Sequence, residues 1–395
     1  MARTEAMIVV GVRTPMGAMN GGLAAVPATQ LGATCVKALV ARTGVPGELI
    51  NEVIMGNCIA AGLGMNPARQ VALGGGLPPS VGATTLNRAC ASGMKAVMLA
   101  AQAIRAGDAE VVIAGGMENM TRPPYLLLKA REGYRMGHDQ LYDALMYDGL
   151  TDAFHNKHMG VFADRCAEKY GFTKPQQDDY AVRSHTRARK AIEAGISADE
   201  IVPVEVTVRG KTTTFTLDEG PSKFDEAKLR SLKPAFSPEG TVTAGNASSI
   251  NDGAAALLVA SDAACRRLNL TPAARIVAAA TFSREPEWFT VAPAGAVRRV
   301  LEQTGWSVDD VDLFEVNEAF ATVALAAERE LKLDPEKYNI YGGAVALGHP
   351  IGCSGARVLV TLLNGLKRTG GRRGIATLCV GGGEGIALAI ETIKS

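Results

Sequence analysis

The sequence predicts an α/β protein in which sheets are covered by helices and the last third of the chain repeats the first. Three observations carry this. Strand-like and helical runs alternate through the first part of the chain. Apolar residues make up 47% of the 395 positions, yet aromatics only 5%, and there are 44 glycines. That mix suits a large core of small aliphatic side chains with closely packed backbones. Finally, two stretches far apart in the chain share one pattern of turn, helix, turn and strand. At this length two or three domain-sized units with well-buried cores are available.

Taken in order, residues 7–10 read as a buried strand and 30–42 as a helix. Residues 53–55 read as a strand entering a glycine-rich loop, 94–105 as a helix stopped by Gly107, and 111–114 as another strand. From residue 121 to about 247 charged and aromatic residues increase, and Pro123-Pro124 opens an irregular stretch. Two helices follow near 159–169 and 176–193, and then 204–208 and 212–217 alternate around Arg209-Gly210-Lys211 as a hairpin. This region reads as an insertion with its own exposed surface. Buried-strand texture returns at 254–260. The stretch from Cys90 can be laid beside that from Cys353: small-residue turn, apolar helix, charged glycine turn, strand, Gly-Gly, then Met or Gly before Glu. Duplication explains this; chance similarity between two βα segments is the alternative.

Acidic and basic residues nearly cancel, 40 against 41, so no global field argues for nucleic acid or an anionic membrane. The apolar run at the N-terminus is too short, and too soon followed by Arg13 and Pro15, for a secretion signal or transit peptide. Residues 338–356, a long uncharged stretch, are broken by Gly, His and Pro and do not read as a membrane span. The seven cysteines are scattered, with neither a CxxC pair nor a disulfide framework, which suggests a reducing cytoplasm. No His, Cys, Asp and Glu cluster has metal-ligand spacing, so no metal is expected.

Four places carry candidate chemistry. Cys90 stands in Asn87-Arg-Ala-Cys-Ala-Ser-Gly just before a helix, whose positive end favours thiolate. On its own the pattern also fits a buried structural cysteine. His349 lies in a loop nearly free of long side chains and is a candidate general base for a thiol, or a turn cap before Pro350. Cys379 follows a strand and precedes Val380-Gly-Gly-Gly-Glu-Gly, whose free N–H groups suit an oxyanion; a buried thiol beside a tight turn is the alternative. Asn317, in Asn-Glu-Ala-Phe-Ala after an apolar strand, is a candidate for orienting water or substrate, or a helix N-cap. Two thiols, one imidazole and glycine-rich turns permit acyl-thioester chemistry.

These motifs together resemble the thiolase family over essentially the whole chain. Arg13-Thr-Pro-Met-Gly, Cys90-Ala-Ser-Gly-Met-Lys-Ala, Ala114-Gly-Gly-Met-Glu, Gly245-Asn-Ala-Ser, Asn251-Asp-Gly-Ala-Ala, Asn317-Glu-Ala-Phe-Ala, Gly348-His-Pro-Ile-Gly and Cys379-Val-Gly-Gly-Gly stand in the family's order. The resemblance implies a five-layer αβαβα sandwich of two similar halves with an inserted loop domain. The halves would be residues 1–120 with 249–271, and 272–395; the insertion, 121–248, would bind coenzyme A and form tetramers. It implies that Cys90, activated by His349, becomes acylated, and that Cys379 removes the α-proton of a second acetyl-CoA. One oxyanion hole would use His349 with a water held by Asn317, the other the N–H groups of Cys90 and Gly381. By matching position, Leu150, His158, Met159 and Ser248 would line the coenzyme A tunnel.

His158-Met159-Gly160 and the stretch from Pro124 to Gly137 are similar to the family's short-chain biosynthetic branch. The implied reaction is 2 acetyl-CoA ⇌ acetoacetyl-CoA + CoA, in a homotetramer, with coenzyme A as substrate and product and no resident cofactor. Three positions depart from the family pattern. Ser222 stands where Arg is usual near the adenine, with Lys223 as a substitute; Trp288-Phe-Thr brings bulk to a segment expected at the acyl pocket; and Cys353 replaces Ala. The competing readings are a thiolase of fatty-acid breakdown acting on longer chains, a ketoacyl synthase, which typically lacks the second cysteine, and a non-catalytic coenzyme A-binding protein.

Overall fold

The computed structural model describes residues 4–393. Nine principal strands form the sheet: β1 (Ala6–Arg13), β2 (Glu52–Gly56), β3 (Gly82–Leu86), β4 (Val111–Asn119), β5 (Asn251–Ser261), β6 (Ala274–Ser283), β7 (Leu313–Val316), β8 (Arg373–Val380) and β9 (Glu384–Thr392). Their order is β7-β8-β9-β6-β1-β5-β4-β2-β3, and the two-residue strand Gly17–Ala18 adds to β5. The seam is the short antiparallel pairing of Met7 and Ile8 in β1 with Arg275 and Ala274 in β6. Outward from it the two sides mirror each other. On each side two antiparallel pairings are followed by a parallel one, β4 with β2 and β8 with β7. Beyond β2 lies parallel β3, and beyond β7 a single parallel bridge from Phe314 to Tyr338 takes the same place. The two β layers are thus joined edge to edge along one continuous ladder.

The helices are α1 (Ala28–Thr43), α2 (Pro67–Gly74), α3 (Ser92–Ala106), α4 (Met159–Tyr170), α5 (Lys174–Glu193), α6 (Ala292–Thr304), α7 (Ala321–Leu331) and α8 (Ile351–Thr369). Helices α3 and α8 pack on each other, and α8 also touches strands of both sheet halves. They form the middle layer, joined by one apolar cluster running from Val112 and Leu257 to Leu378 and Leu388. Helices α1 and α2 cover the outer face of the first half, and α6 and α7 that of the second. Five layers result, αβαβα. Strands β4 and β5, covered on both faces, are buried at every position, which explains their unbroken apolar and small-residue runs.

The two similar sequence stretches build the same unit, α3–β4 and α8–β8, and the abundant glycine is spent where these units cross. A Cβ on Gly116 of β4 would sit 2.0 Å from the Gly352 carbonyl oxygen, and one on Gly93 of α3 would sit 2.7 Å from the Ala356 nitrogen. Side chains there would push the helix starts, and the loops before them, apart.

Between β4 and β5 the chain leaves the sheet and builds α4, α5 and a hairpin. The second hairpin strand is Lys211–Phe215, not 212–217 as the alternation suggests. It ends early because Asp218 turns inward, accepting both guanidinium nitrogens of buried Arg13 at 2.7 and 2.8 Å. Among the described residues no helix is long and apolar enough to cross a membrane.

Candidate active site

Cys90 lies in the tight loop between β3 and α3. Ala89 adopts φ +43°, a left-handed conformation that non-glycine residues hold only when their surroundings enforce it. Here the enforcement is local. Asn87 accepts the Ala89 N–H at 2.8 Å, while Ser92 accepts the Arg88 N–H at 2.8 Å and donates to the Ala89 carbonyl at 2.7 Å. The backbone N–H groups of Gly381 and of Cys90 itself lie close enough to the Cys90 sulfur to lower its pKa. The sequence-based expectation of a lowered thiol is nevertheless not met. Burial pushes Cys90 up to about 11, the two N–H groups offset this only in part, and the nearby Glu118 carboxylate adds to the rise. Desolvation outweighs the helix end, so Cys90 rests as a thiol.

His349 follows the short helix Ala344–Leu347. Gly348 before it has φ +103°, and a Cβ there would fall 2.1 Å from the Asn251 side chain. The close approach lets Asn251 Oδ1 accept the His349 backbone N–H at 3.2 Å. Ring nitrogen Nδ1 lies 2.6 Å from Ser354 Oγ, and the Ser354 hydroxyl donates to the Pro350 carbonyl at 3.0 Å. With its proton committed to Pro350, the hydroxyl accepts from Nδ1–H, which leaves the lone pair on Nε2. Nε2 has no hydrogen-bond partner among the described residues. Burial, reinforced by the Arg357 charge, lowers His349 to about 3, so the ring rests neutral.

Cys379 is the last residue but one of β8 and is fully buried. Burial holds its thiol well above the ordinary range, and the neighbouring Cys90 reinforces this. The strand then turns through Gly382 and Gly383, with φ +90° and +86°, which leaves the Gly381 N–H at the Cys90 sulfur. Asn317 follows β7 and donates its backbone N–H to Thr377 at 3.0 Å. It is not a helix cap, since α7 begins at Ala321 after Phe320.

Cys90, His349, Cys379 and Gly381 meet on the wall of one cavity of about 700 Å³. Leu150, His158, Met159 and Ser248 line the same cavity. His158 accepts the Gly160 N–H on Nδ1 at 3.0 Å and stacks on Phe236 at 4.7 Å. Ser248 donates to the Ala319 carbonyl at 2.9 Å. Asn317 does not reach the wall; it is fully buried behind it.

The bulky 288 segment works differently from its sequence reading. Trp288 is outside the cavity, with Lys169 Nζ 4.1 Å above its ring. Phe289 is the residue that faces the cavity, edge-on to Phe320 at 6.3 Å between centroids. Lys223 is held by Glu219 at 3.5 Å, and neither it nor Ser222 lines the cavity. Cys353 is fully buried within the layer core, away from the wall.

Three contributors escaped the sequence reading. Ser354 fixes the histidine tautomer. Glu118 accepts the N–H groups of Cys58 at 2.9 Å and Gly352 at 3.0 Å, tying the loop after β2 to the start of α8. Arg357 donates to Asn317 Oδ1 at 3.3 Å. The last had a visible signal, as the one charge between residues 351 and 366 in a run otherwise apolar or small.

Residues 6–263 match the family description "Thiolase, N-terminal domain" and residues 270–392 "Thiolase, C-terminal domain". The chain is 51% identical to an acetyl-CoA acetyltransferase of Chromobacterium violaceum over 390 residues, 98% of this chain and 99% of that protein. It is also 51% identical to acetyl-CoA acetyltransferase 2 of Arabidopsis thaliana, over 98% of this chain and 96% of that one. The crystal structure of the Bacillus anthracis acetyl-CoA acetyltransferase superposes with a TM-score of 0.97 at 44% identity, covering 99% of this chain and 100% of the other.

Proposed function

The chain belongs to the thiolase family, and from that premise we propose that it is an acetyl-CoA C-acetyltransferase interconverting two acetyl-CoA with acetoacetyl-CoA and CoA. The observation that carries this reading is the meeting of two protonated thiols and one neutral imidazole on a single cavity wall. His349 Nε2 takes the Cys90 proton, and the thiolate attacks the acetyl thioester. The carbonyl oxygen of the acyl group on Cys90 is stabilised by the N–H groups of Cys90 and Gly381, both near that sulfur. The departing CoA thiolate takes its proton from Cys379. That leaves Cys379 as the charged base for the α-carbon of the second acetyl-CoA.

The enolate oxygen so formed is held by the protonated His349 and by a water on Asn317. The enolate attacks acetyl-Cys90, and the expelled Cys90 thiolate recovers its proton from His349. Protons and electrons balance over the cycle, and both thiols return neutral. Burial explains why two thiols are needed: neither stays ionised by itself, so one proton transfer must generate the other's charge.

Leu150, His158, Met159 and Ser248 are assigned to the pantetheine arm of coenzyme A, which is substrate and product. The Phe289–Phe320 wall supports short acyl chains. Exposed Tyr125, Leu127, Leu128, Met136 and Leu141 support the loop after β4 as a tetramer contact. All seven cysteines are free thiols, which supports a reducing compartment, the cytoplasm. A chain-length series in the thiolysis assay tests the substrate. The four-carbon substrate, acetoacetyl-CoA, should be cleaved fastest; preference for an eight-carbon 3-ketoacyl-CoA would contradict the assignment.

A further inference from the structure

Behind the catalytic chamber, α8 buries the guanidinium of Arg357, which is 1% exposed. A charge so placed needs polar neighbours, and Arg357 has two, one near the end of a strand and one just after it. Glu315 Oε2 lies 3.5 Å from Nη1, and Asn317 Oδ1 accepts from Nη2 at 3.3 Å. Glu315 and Asn317 are two positions apart at the end of β7, so their side chains leave on the same side and one guanidinium can span both.

The chemistry of arginine decides how the amide is turned. A guanidinium has only donors, so the atom of Asn317 beside it must be the carbonyl oxygen. The NH2 group then points away from Arg357, and Nδ2 has no hydrogen-bond partner among the described residues. Nor has His349 Nε2, on the chamber wall. A free asparagine could present either end to the chamber. An oxygen facing inward would repel an enolate oxygen and accept the protons of any intervening water.

We propose that Arg357, held beside Glu315, is a positioning residue that locks the Asn317 amide with its oxygen toward the guanidinium and its NH2 as the donor toward the catalytic chamber. The proposal rests on the enolate-stabilising role given to Asn317 above and adds the group that sets its orientation. It assigns Arg357 to the carbon–carbon step and not to acylation, because the acyl oxygen on Cys90 is served by the separate pair of N–H groups.

The test compares two half-reactions in wild type, Arg357→Met, Asn317→Ala and the double variant. Acetyl-Cys90 formation is followed by mass spectrometry, and exchange of acetyl-CoA α-protons with D2O reports enolisation. Asn317→Ala should lower exchange on the order of 100-fold, as for one lost oxyanion donor. Arg357→Met should lower it at least about tenfold, through misplacement of the amide, while acetyl-Cys90 formation is not slowed, since losing the Arg357 charge leaves His349 the stronger base. The double variant should lose no more than Asn317→Ala alone, and Arg357→Lys, which keeps a donor, should recover part of the exchange. Multiplying losses in the double variant, or unchanged exchange in Arg357→Met beside impaired Asn317→Ala, overturns the positioning role and leaves the reading of Asn317 standing. Unchanged exchange in Asn317→Ala removes both. Should Arg357→Met fail to fold, the neutral pair Glu315→Gln with Arg357→Met replaces it in the same comparison, with the same deciding outcomes.

Discussion

Replacing Ser354 with alanine isolates how much of the base's competence lies in its orientation. Ser354 makes the only side-chain hydrogen bond to the His349 ring among the described residues, 2.6 Å from Nδ1, and both groups are buried. Alanine leaves a buried Nδ1–H without an acceptor, a penalty of about 1–3 kcal/mol. The ring can escape it by moving the proton to Nε2, the nitrogen that must accept from Cys90. Either way the competent state is disfavoured by about that amount, and each 1.4 kcal/mol is about tenfold in rate. Acylation of Cys90 should therefore slow by about 5- to 150-fold. The helix loses only the Ser354 bond to Pro350, so the melting temperature should fall by no more than a few degrees. Rapid-quench mass spectrometry of acetyl-Cys90 under saturating acetyl-CoA gives the rate directly. A loss below twofold in a variant of normal stability would refute the tautomer argument.

Three other outcomes follow from the geometry. Phe289→Ala opens the cavity wall, so thiolysis should shift toward longer 3-ketoacyl-CoA substrates at a stability loss of about 3–5 kcal/mol, read by a chain-length series and denaturant melts. Burial raises Glu118 from the usual carboxylate value to about 7, so its protonated form is favoured by folding. Its contribution is full below about pH 4.5 and is lost as pH rises through 7, and a Glu118→Gln variant should lack this slope in melting temperature against pH. Gly93→Ala forces a Cβ to 2.7 Å from backbone nitrogen at the α3–α8 crossing and should cost roughly 1–3 kcal/mol, measured by chemical denaturation.

That sheets are covered by helices was legible because strands buried on both faces leave unbroken apolar runs and helices with one apolar face leave a helical periodicity. The repeat of α3–β4 in α8–β8 showed as well, since matching contacts need matching small residues. The edge pairing of β1 with β6 spans only two residue pairs and leaves no periodic signal. Cys90, His349 and Cys379 could be singled out as reactive types beside glycine turns, but their protonation states could not. Whether a helix end or burial decides the Cys90 thiol depends on solvent access, which spacing does not encode. Trp288 and Phe289 show the same limit. Both are bulky and adjacent, and only the three-dimensional turn at residues 286–291 decides that Phe289 meets the cavity while Trp288 lies under Lys169. Ser354 and Arg357 act through other side chains, one helical turn from each other on α8, and became visible only with their partners in place.

The division of labour between the two thiols is tested most directly by locating acetyl groups after mixing with acetyl-CoA. Wild type and Cys379→Ser should both carry acetyl on Cys90, with only wild type proceeding to acetoacetyl-CoA, and Cys90→Ser should carry almost none. Acetyl on Cys379 in place of Cys90, or equal loss of acylation in both variants, would contradict the account.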